Sequence, residues 1–288
     1  MTYSIHPNGS FSIQIDLQKY CNIIYKPVEN RFLAVDLNPN YIGWTIVQWK
    51  SNNTFRIIDY GVESFKELND IEDAHKKKHG KASTGRFHYT EKKEYETESF
   101  AAHLIDVAKY YSVKYVAIDD VGIKTSDKNR GRFYNRLVNN KWLRKAFQET
   151  YQKNAELNGM ETVFVYSAYT SIVGNFLFRK FRLPDMCLAA FEISRRAFLM
   201  KKHNLNDYSK KKDEYKFPDK IEFKSFYDSS FDEFNIPQQD RIFNIKEIYN
   251  KYLKKTNNRY RVDFKTTIKD MKVTAHKKRY TTSYMKSN

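Results

Sequence analysis

The chain has 288 residues, with 51 Lys+Arg against 34 Asp+Glu and a formal charge of +17. Its 41% hydrophobic and 16% aromatic content is too apolar for a disordered chain, and no run of about 18 uncharged apolar residues offers a membrane-spanning helix. The length fits one large domain, or a core with an appendage. The opening stretch MTYSIHPNGSFSIQ has neither a basic nor an apolar leader segment, and Cys21 and Cys187 are too few for a disulfide framework or a structural zinc site. The expectation is a cytoplasmic protein with no membrane partner.

The positive charge has two ordinary origins, a polyanionic partner or a composition rich in lysine for other reasons. Only 9 residues are Gly while 22 are Tyr and 21 are Phe, so a general compositional bias is part of the picture. Residues 1–200 carry +7 and residues 201–288 carry +10. Both portions are basic, the second more densely.

In chain order, residues 1–30 form a lead segment. RFLAVDL is apolar throughout, YIGWTIVQW is aromatic and β-branched, and TFRIIDY follows the polar turn KSNN, so residues 31–60 read as three sequential strands. Residues 61–92 are charged and irregular and read as an exposed loop, with His75, His79 and His88 solvated or, were the segment helical, spaced for a transition metal. Phe100, Leu104, Val107, Ala108 and Tyr111 make one apolar stripe of 3.6-residue period, and the strand KYVAID follows it as a parallel crossover. Arg130–Asn158 is helical in composition and leads into the strand ETVFVY. Asp185 opens a last helix with Met186, Ala189, Ala190, Ile193 and Ala197 on one side. From about residue 201 the pattern decays into a Lys- and Tyr-rich appendage, residues 201–288, with one helix expected near Arg241–Lys255.

The resulting order βββαβαβα predicts an α/β domain over residues 31–200: a mixed five-stranded sheet flanked by helices in the ribonuclease H-like layout, the first strand central beside the fourth. Neighbouring strands lie about 4.8 Å apart, so acids at matching positions on those two strands stand side by side. Asp36 in L-A-V-D-L and Asp119 in V-A-I-D-D each follow an alanine by two residues. Alternation puts Ala34 with Asp36 and Ala117 with Asp119 on one face, which favours Asp119 over Asp120. Two adjacent acids in apolar strands cost free energy unless a cation neutralises them, and Asp185 at the start of the last helix can add a third oxygen ligand. Hard Mg2+ or Mn2+ suits such donors, and two ions would clamp the oxygens of a phosphodiester.

The stretches FLAVDLNPNYIGW, YVAIDDVGIK and YSAYTSIVG…LPDMCLAAFEISRRA resemble the three blocks of the RuvC-type nuclease domain, in the form found in OrfB/TnpB-type transposon proteins and type V CRISPR effectors. The resemblance covers residues 30–200. It implies that Asp36, Asp119 and Asp185 bind two metal ions and cut DNA. The second-block acid is usually Glu and here is Asp119, no zinc ribbon lies between Ser171 and Asp185, and no guide-binding region precedes the first block. The resemblance therefore implies a compact endonuclease for branched or structured DNA, like a Holliday-junction resolvase. The alternatives are a weakly active or inactive DNA-binding protein and a TnpB-like nuclease working with RNA or a partner protein; a homodimer is also open.

Further DNA contacts are expected from Arg130, Arg132, Arg136, Lys141, Arg144 and Lys145 on the basic helix. Arg195 and Arg196, about three turns after Asp185, are placed to reach a phosphate. Tyr169, Thr170 and Ser171 read as backbone-positioning. Tyr252, Tyr260, Tyr280 and Tyr284 among lysines are spaced either to stack on unpaired bases or to pack on the core.

Overall fold

The computed structural model describes residues 2–5, 11–14, 26–51, 54–79, 88–120, 144–166, 168–202, 228–241 and 245–262. A small antiparallel hairpin, β1 (Thr2–Ile5) and β2 (Phe11–Gln14), lies in the lead segment. The main sheet comprises β3 (Val28–Leu37), β4 (Tyr41–Ser51), β5 (Thr54–Ser64), β6 (Val113–Asp120) and β7 (Glu161–Tyr166). Its order is β5-β4-β3-β6-β7, with β4 antiparallel to both neighbours and β6 and β7 parallel to β3. Strand order and direction together give the ribonuclease H-like fold, with the first strand of the sheet central, as expected.

Every residue from Phe32 to Asp36 is buried because helices cover both faces of the sheet, which is why LAVDL reads as a continuous run and not as an alternation. Leu33, Val35 and Leu37 join Val116 and Ile118 in a core built with Phe100, Leu104 and Ala108 of α2 (His88–Tyr110) and Phe147, Tyr151 and Ala155 of α3 (Arg144–Leu157). Phe32, Ala34 and Ala117 face the other way. With Val163 and Val165 they meet α4 (Thr170–Phe178) and α5 (Asp185–Lys202).

Helix α5 is held flat on this second face by its own polar groups. Thr45 Oγ1 donates to the Cys187 carbonyl at 3.2 Å, and Trp49 Nε1 donates to Ser194 Oγ at 2.8 Å. Alanines at 34 and 117 leave the room that a helix at this distance needs.

Residues 61–92 depart from the loop reading. They contain the end of β5, helix α1 (Lys66–His79) and the start of α2. α1 is mostly polar, and it is fastened at its N-terminal end. Asn69, buried in its first turn, donates Nδ2 to the Pro39 carbonyl at 2.9 Å and to Asn40 Oδ1 at 2.8 Å. His75 and His79 belong to α1 and His88 begins α2; their side chains lie outside the described set.

The expected boundary at residue 200 cuts through one apolar cluster. Phe231 of α6 (Asp228–Glu233), Ile236, Ile245 and Ile248 of α7 (Ile245–Lys251), Leu253 and Tyr260 are all buried in the core that α4 and α5 form. The described part of the C-terminal stretch is therefore continuous with the domain, because its sparse apolar residues are the ones that cover α4. Tyr260 packs there as core, and Tyr280 and Tyr284 lie outside the described residues.

Gly43 sits opposite Asp36 in the β3/β4 register and faces α5. A Cβ there would lie 2.5 Å from the Met186 carbonyl carbon and 2.6 Å from its Cβ. Only glycine lets the first turn of α5 approach the sheet this closely. Gly43→Ala should therefore lower stability by about 1–3 kcal/mol, read as a reduced urea midpoint with unchanged slope. A wild-type midpoint would show that the helix is not pressed against β4.

Candidate active site

The β3/β6 pairing sets Ala34 against Ala117 and Val35 against Ile118. The next residues along both strands are Asp36 and Asp119, so the register selects Asp119 as the neighbour of Asp36. Both are nearly buried, at 7% and 3% exposure. Asp119 lies opposite Val165 in the β6/β7 register and thus on the α5 side of the sheet. The backbone of Asp120 pairs with Tyr166; its side chain lies outside the described set.

Burial holds the Asp36 carboxyl well above the ordinary carboxylate value, and the charges of Asp119 and Asp185 push it further. A hydrogen bond of 2.6 Å from Asn38 Nδ2 and the positive charge of Arg261 oppose the shift without cancelling it. Strand register sets Asp36 beside Asp119, and Asp185 opens the helix whose first turn packs on Gly43, the residue opposite Asp36. Asp119 is steadied through its backbone: Arg144 Nη2 donates to its carbonyl at 2.8 Å, Gln148 Nε2 does so at 3.2 Å, and the Arg144 guanidinium stands 4.0 Å from Asp119 Oδ2.

Asp185 begins α5, where the unsatisfied N–H groups of a first turn favour an acid. Burial raises its carboxyl above the usual range, against the lowering effect of Arg261 and Asn175. Asn175 Nδ2 donates to Asp185 Oδ1, and Arg261 Nη1 donates to Asp185 Oδ2 at 3.2 Å. Asn175 is itself fully buried and also donates to the Ser171 carbonyl at 2.8 Å.

Three carboxylates, no sulfur and no imidazole form a donor set that suits a hard divalent cation in kind and in sign. A cation among them would also offset the burial and repulsion that raise Asp36. As they stand, no group of three or more Asp, Glu, His or Cys side chains among the described residues is arranged to hold a metal ion. Both Asp185 oxygens are engaged by Asn175 and Arg261. The donors thus fit such an ion in chemical kind, while in the present arrangement Asp185 is taken by Asn175 and Arg261.

The expected DNA contacts fare differently. Arg195 and Arg196 are buried, and both grip Glu192: Arg195 Nε donates to Oε2 at 2.7 Å, and Arg196 Nε to Oε1 at 2.8 Å. Burial alone would raise Glu192, and the two guanidinium groups overcome it and hold the carboxyl below the ordinary value. Arg196 Nη1 also donates to the carbonyls of Tyr166 and Ala168, at 2.6 and 3.0 Å. Both arginines, expected at a phosphate, are thus placed as internal braces of Glu192, and Arg196 also pins the turn between β7 and α4. In that turn Tyr169 takes a left-handed φ of 63° before Thr170 and Ser171 start the helix. Arg144 is likewise buried against β6, so it too is an internal brace. Lys145 is exposed and paired with Glu149 at 3.5 Å. Arg130, Arg132, Arg136 and Lys141 lie outside the described residues.

Sequence reasoning missed Gly43, Asn38, Asn175 and Arg261. The first two had a local signal, a glycine and a side-chain amide within a few residues of Asp36. Asn175 and Arg261 had none.

No protein-family model matches the chain, and no curated protein matches it. Among solved structures, the chain is similar to Thermus thermophilus RuvC in complex with a Holliday junction substrate. The identity is 10%, with 60% of this chain and 96% of that chain covered and a TM-score of 0.38. It is also similar to Fowlpox virus resolvase with Holliday junction DNA, at 10% identity, 62% and 99% coverage and a TM-score of 0.34. A Cas12f1–sgRNA–target DNA complex matches at 17% identity, with 60% of this chain and 40% of that chain covered and a TM-score of 0.38.

The raised Asp36 carboxyl has a consequence for stability. A folded-state value above the unfolded one means that ionisation costs the folded protein more than the unfolded chain. That cost is absent below the ordinary value of 3.8 and grows as pH rises through the raised value. In EDTA at about pH 7.5, Asp36→Asn should melt above the wild type, and the gap should close as the pH falls toward about 4. A variant that melts lower at neutral pH would show that the Asp36 charge is compensated in the fold.

Proposed function

We propose that this protein is a divalent-metal-dependent endonuclease whose substrate is DNA, in branched or structured form. The observation that supports the reading is that Asp36 and Asp119 are neighbours on parallel strands and that Asp185 opens the helix packed on Gly43, opposite Asp36. Burial and the charges of Asp119 and Asp185 raise the Asp36 carboxyl. A purely structural domain has no use for three mutually repelling carboxylates at the end of its central strands.

Asp36, Asp119 and Asp185 would hold Mg2+ or Mn2+. Such an ion supplies Lewis acidity at a phosphodiester and makes water a better nucleophile near neutral pH. The sheet fixes Asp36 and Asp119 through β3/β6 pairing, Asn38 orients Asp36 from one side, and Arg144 with Gln148 locks the Asp119 backbone. Packing from both faces keeps water away from the backs of the two strand acids. The net charge of +17 supplies attraction for a polyanion over the whole molecule.

A second reading, a DNA-binding protein without cleavage, is favoured by one observation: both oxygens of Asp185 are already engaged. Incubating the protein with a four-way junction, a plain duplex and single strands, in Mg2+ or EDTA, separates the two. Cleavage of the junction in Mg2+ alone is the expected result. Asp36→Asn and Asp119→Ala should each remove cleavage while leaving junction binding intact, and Asp120→Ala should be much milder, since the register makes Asp119 the neighbour of Asp36. Junction binding without cleavage at any Mg2+ or Mn2+ concentration would leave the second reading standing and overturn the first.

A further inference from the structure

The chain from Ile245 to Val262 returns to the acid site from far along the sequence. It is anchored by Ile245, Ile248, Leu253 and Tyr260, all buried beside α4 and α5, and Tyr260 meets Tyr249 edge to face at 6.4 Å. Asn257 and Asn258 take left-handed φ values of 50° and 65° and turn the chain back. Two ties then fix the last residues. Arg179 Nη1 donates to the Arg259 carbonyl at 3.1 Å, and the Val262 N–H donates to Asn175 Oδ1 at 3.1 Å. Asn175 thus holds Asp185 with its amide nitrogen and the returning chain with its amide oxygen. Between the ties stands Arg261, its Nη1 on Asp185 at 3.2 Å and its Nε on Tyr260 Oη at 3.3 Å.

We propose that residues 245–262 form a cation-displaced strap. Arg261 docks on Asp185 in the metal-free protein, and a divalent ion held by Asp36, Asp119 and Asp185 ejects it. The inference rests on reading those three acids as metal ligands. A guanidinium and a divalent cation compete for the same carboxylate oxygen, and side by side they repel. Arg261 is the natural loser, since its side chain is 38% exposed and can turn to water while its neighbour Tyr260 stays buried. On Asp185 the Arg261 guanidinium also offsets negative charge beside the strand acids until metal arrives. Only the end of the strap moves, because its anchors lie in the core.

Two measurements on the full chain test this. Mn2+ titration by calorimetry compares the wild type with Arg261→Gln, which removes the charge, and Arg261→Lys, which keeps it. The expected result is binding about tenfold tighter in Arg261→Gln, equivalent to about 1.4 kcal/mol, with Arg261→Lys close to the wild type. Hydrogen exchange on the wild type, which needs no variant, should show faster exchange over residues 257–262 when Mn2+ is added. Mn2+ that binds all three proteins alike and leaves that exchange unchanged overturns the strap while the metal reading stands. Absence of Mn2+ binding in all three, Arg261→Gln included, overturns the metal reading and the strap with it.

Discussion

The parallel pairing that sets Ala34 against Ala117 decides where the acids of this protein stand. Strand periodicity is two, so a slip of one residue in β6 would turn Asp119 to the face covered by α2 and α3 and carry Ile118 to the α5 side. The apolar residues forbid that slip. Leu33, Val35, Val116 and Ile118 are matched to Phe100, Leu104 and Phe147, while the alanines share a cluster with Cys187, Ile193 and Ala197 of α5. Packing thus specifies a register, and the register brings together two charges that packing alone would never choose.

Two buried charge clusters, one at Glu192 within α5 and one at Asp36 on β3, show opposite solutions to the same problem. Glu192 is fully buried and is met by two guanidinium groups on its own helix, three and four residues away, so its charge is more than balanced and its carboxyl titrates low. At Asp36 the fixed positive charge is remote and the near neighbours are acids, so the carboxyl titrates high. A buried pair can be retained for the geometry that it imposes, and Arg196 does impose one by holding the carbonyls of Tyr166 and Ala168. The imbalance at Asp36 imposes nothing on the fold and is the kind of cost that active sites carry.

The same contrast explains what the sequence made legible. The small-x-acid pattern at Ala34–Asp36 and Ala117–Asp119 was readable because alternation along a strand is a local rule, and the acid at the head of α5 was readable because first turns favour one. The doublet Arg195–Arg196 was misread as a phosphate contact although its correction was also local. Glu192 lies on the same helix face, inside a stretch otherwise rich in Ala, Phe, Leu and Ile, where a charge must find a partner. Helix α1 was read as loop because its hold on the domain is a pair of Asn69 hydrogen bonds and not an apolar stripe. The role of residues 228–262 was left open, between base stacking and core packing, for a different reason. Their buried residues are spread among lysines without a period, and they meet α4 and α5 only once the whole domain has formed.

Placement of the third acid draws on more distant parts of the chain than placement of the first two. Asp36 and Asp119 are fixed by hydrogen-bonded strands and by neighbours within one or two elements. Asp185 depends on Gly43 to let α5 approach, on Asn175 at the next helix over, and on Arg261, which is 76 residues away in sequence. The side-chain exposures follow the same order, 4% for Asp119 against 25% for Asp185. An acid held by side chains at the domain surface can change its partner without unfolding anything, whereas an acid held by a central strand cannot. The sheet therefore supplies the fixed half of the site and the helix start supplies the adjustable half. A substitution that disturbs this site should therefore be felt first at Asp185 and along the chain that touches it.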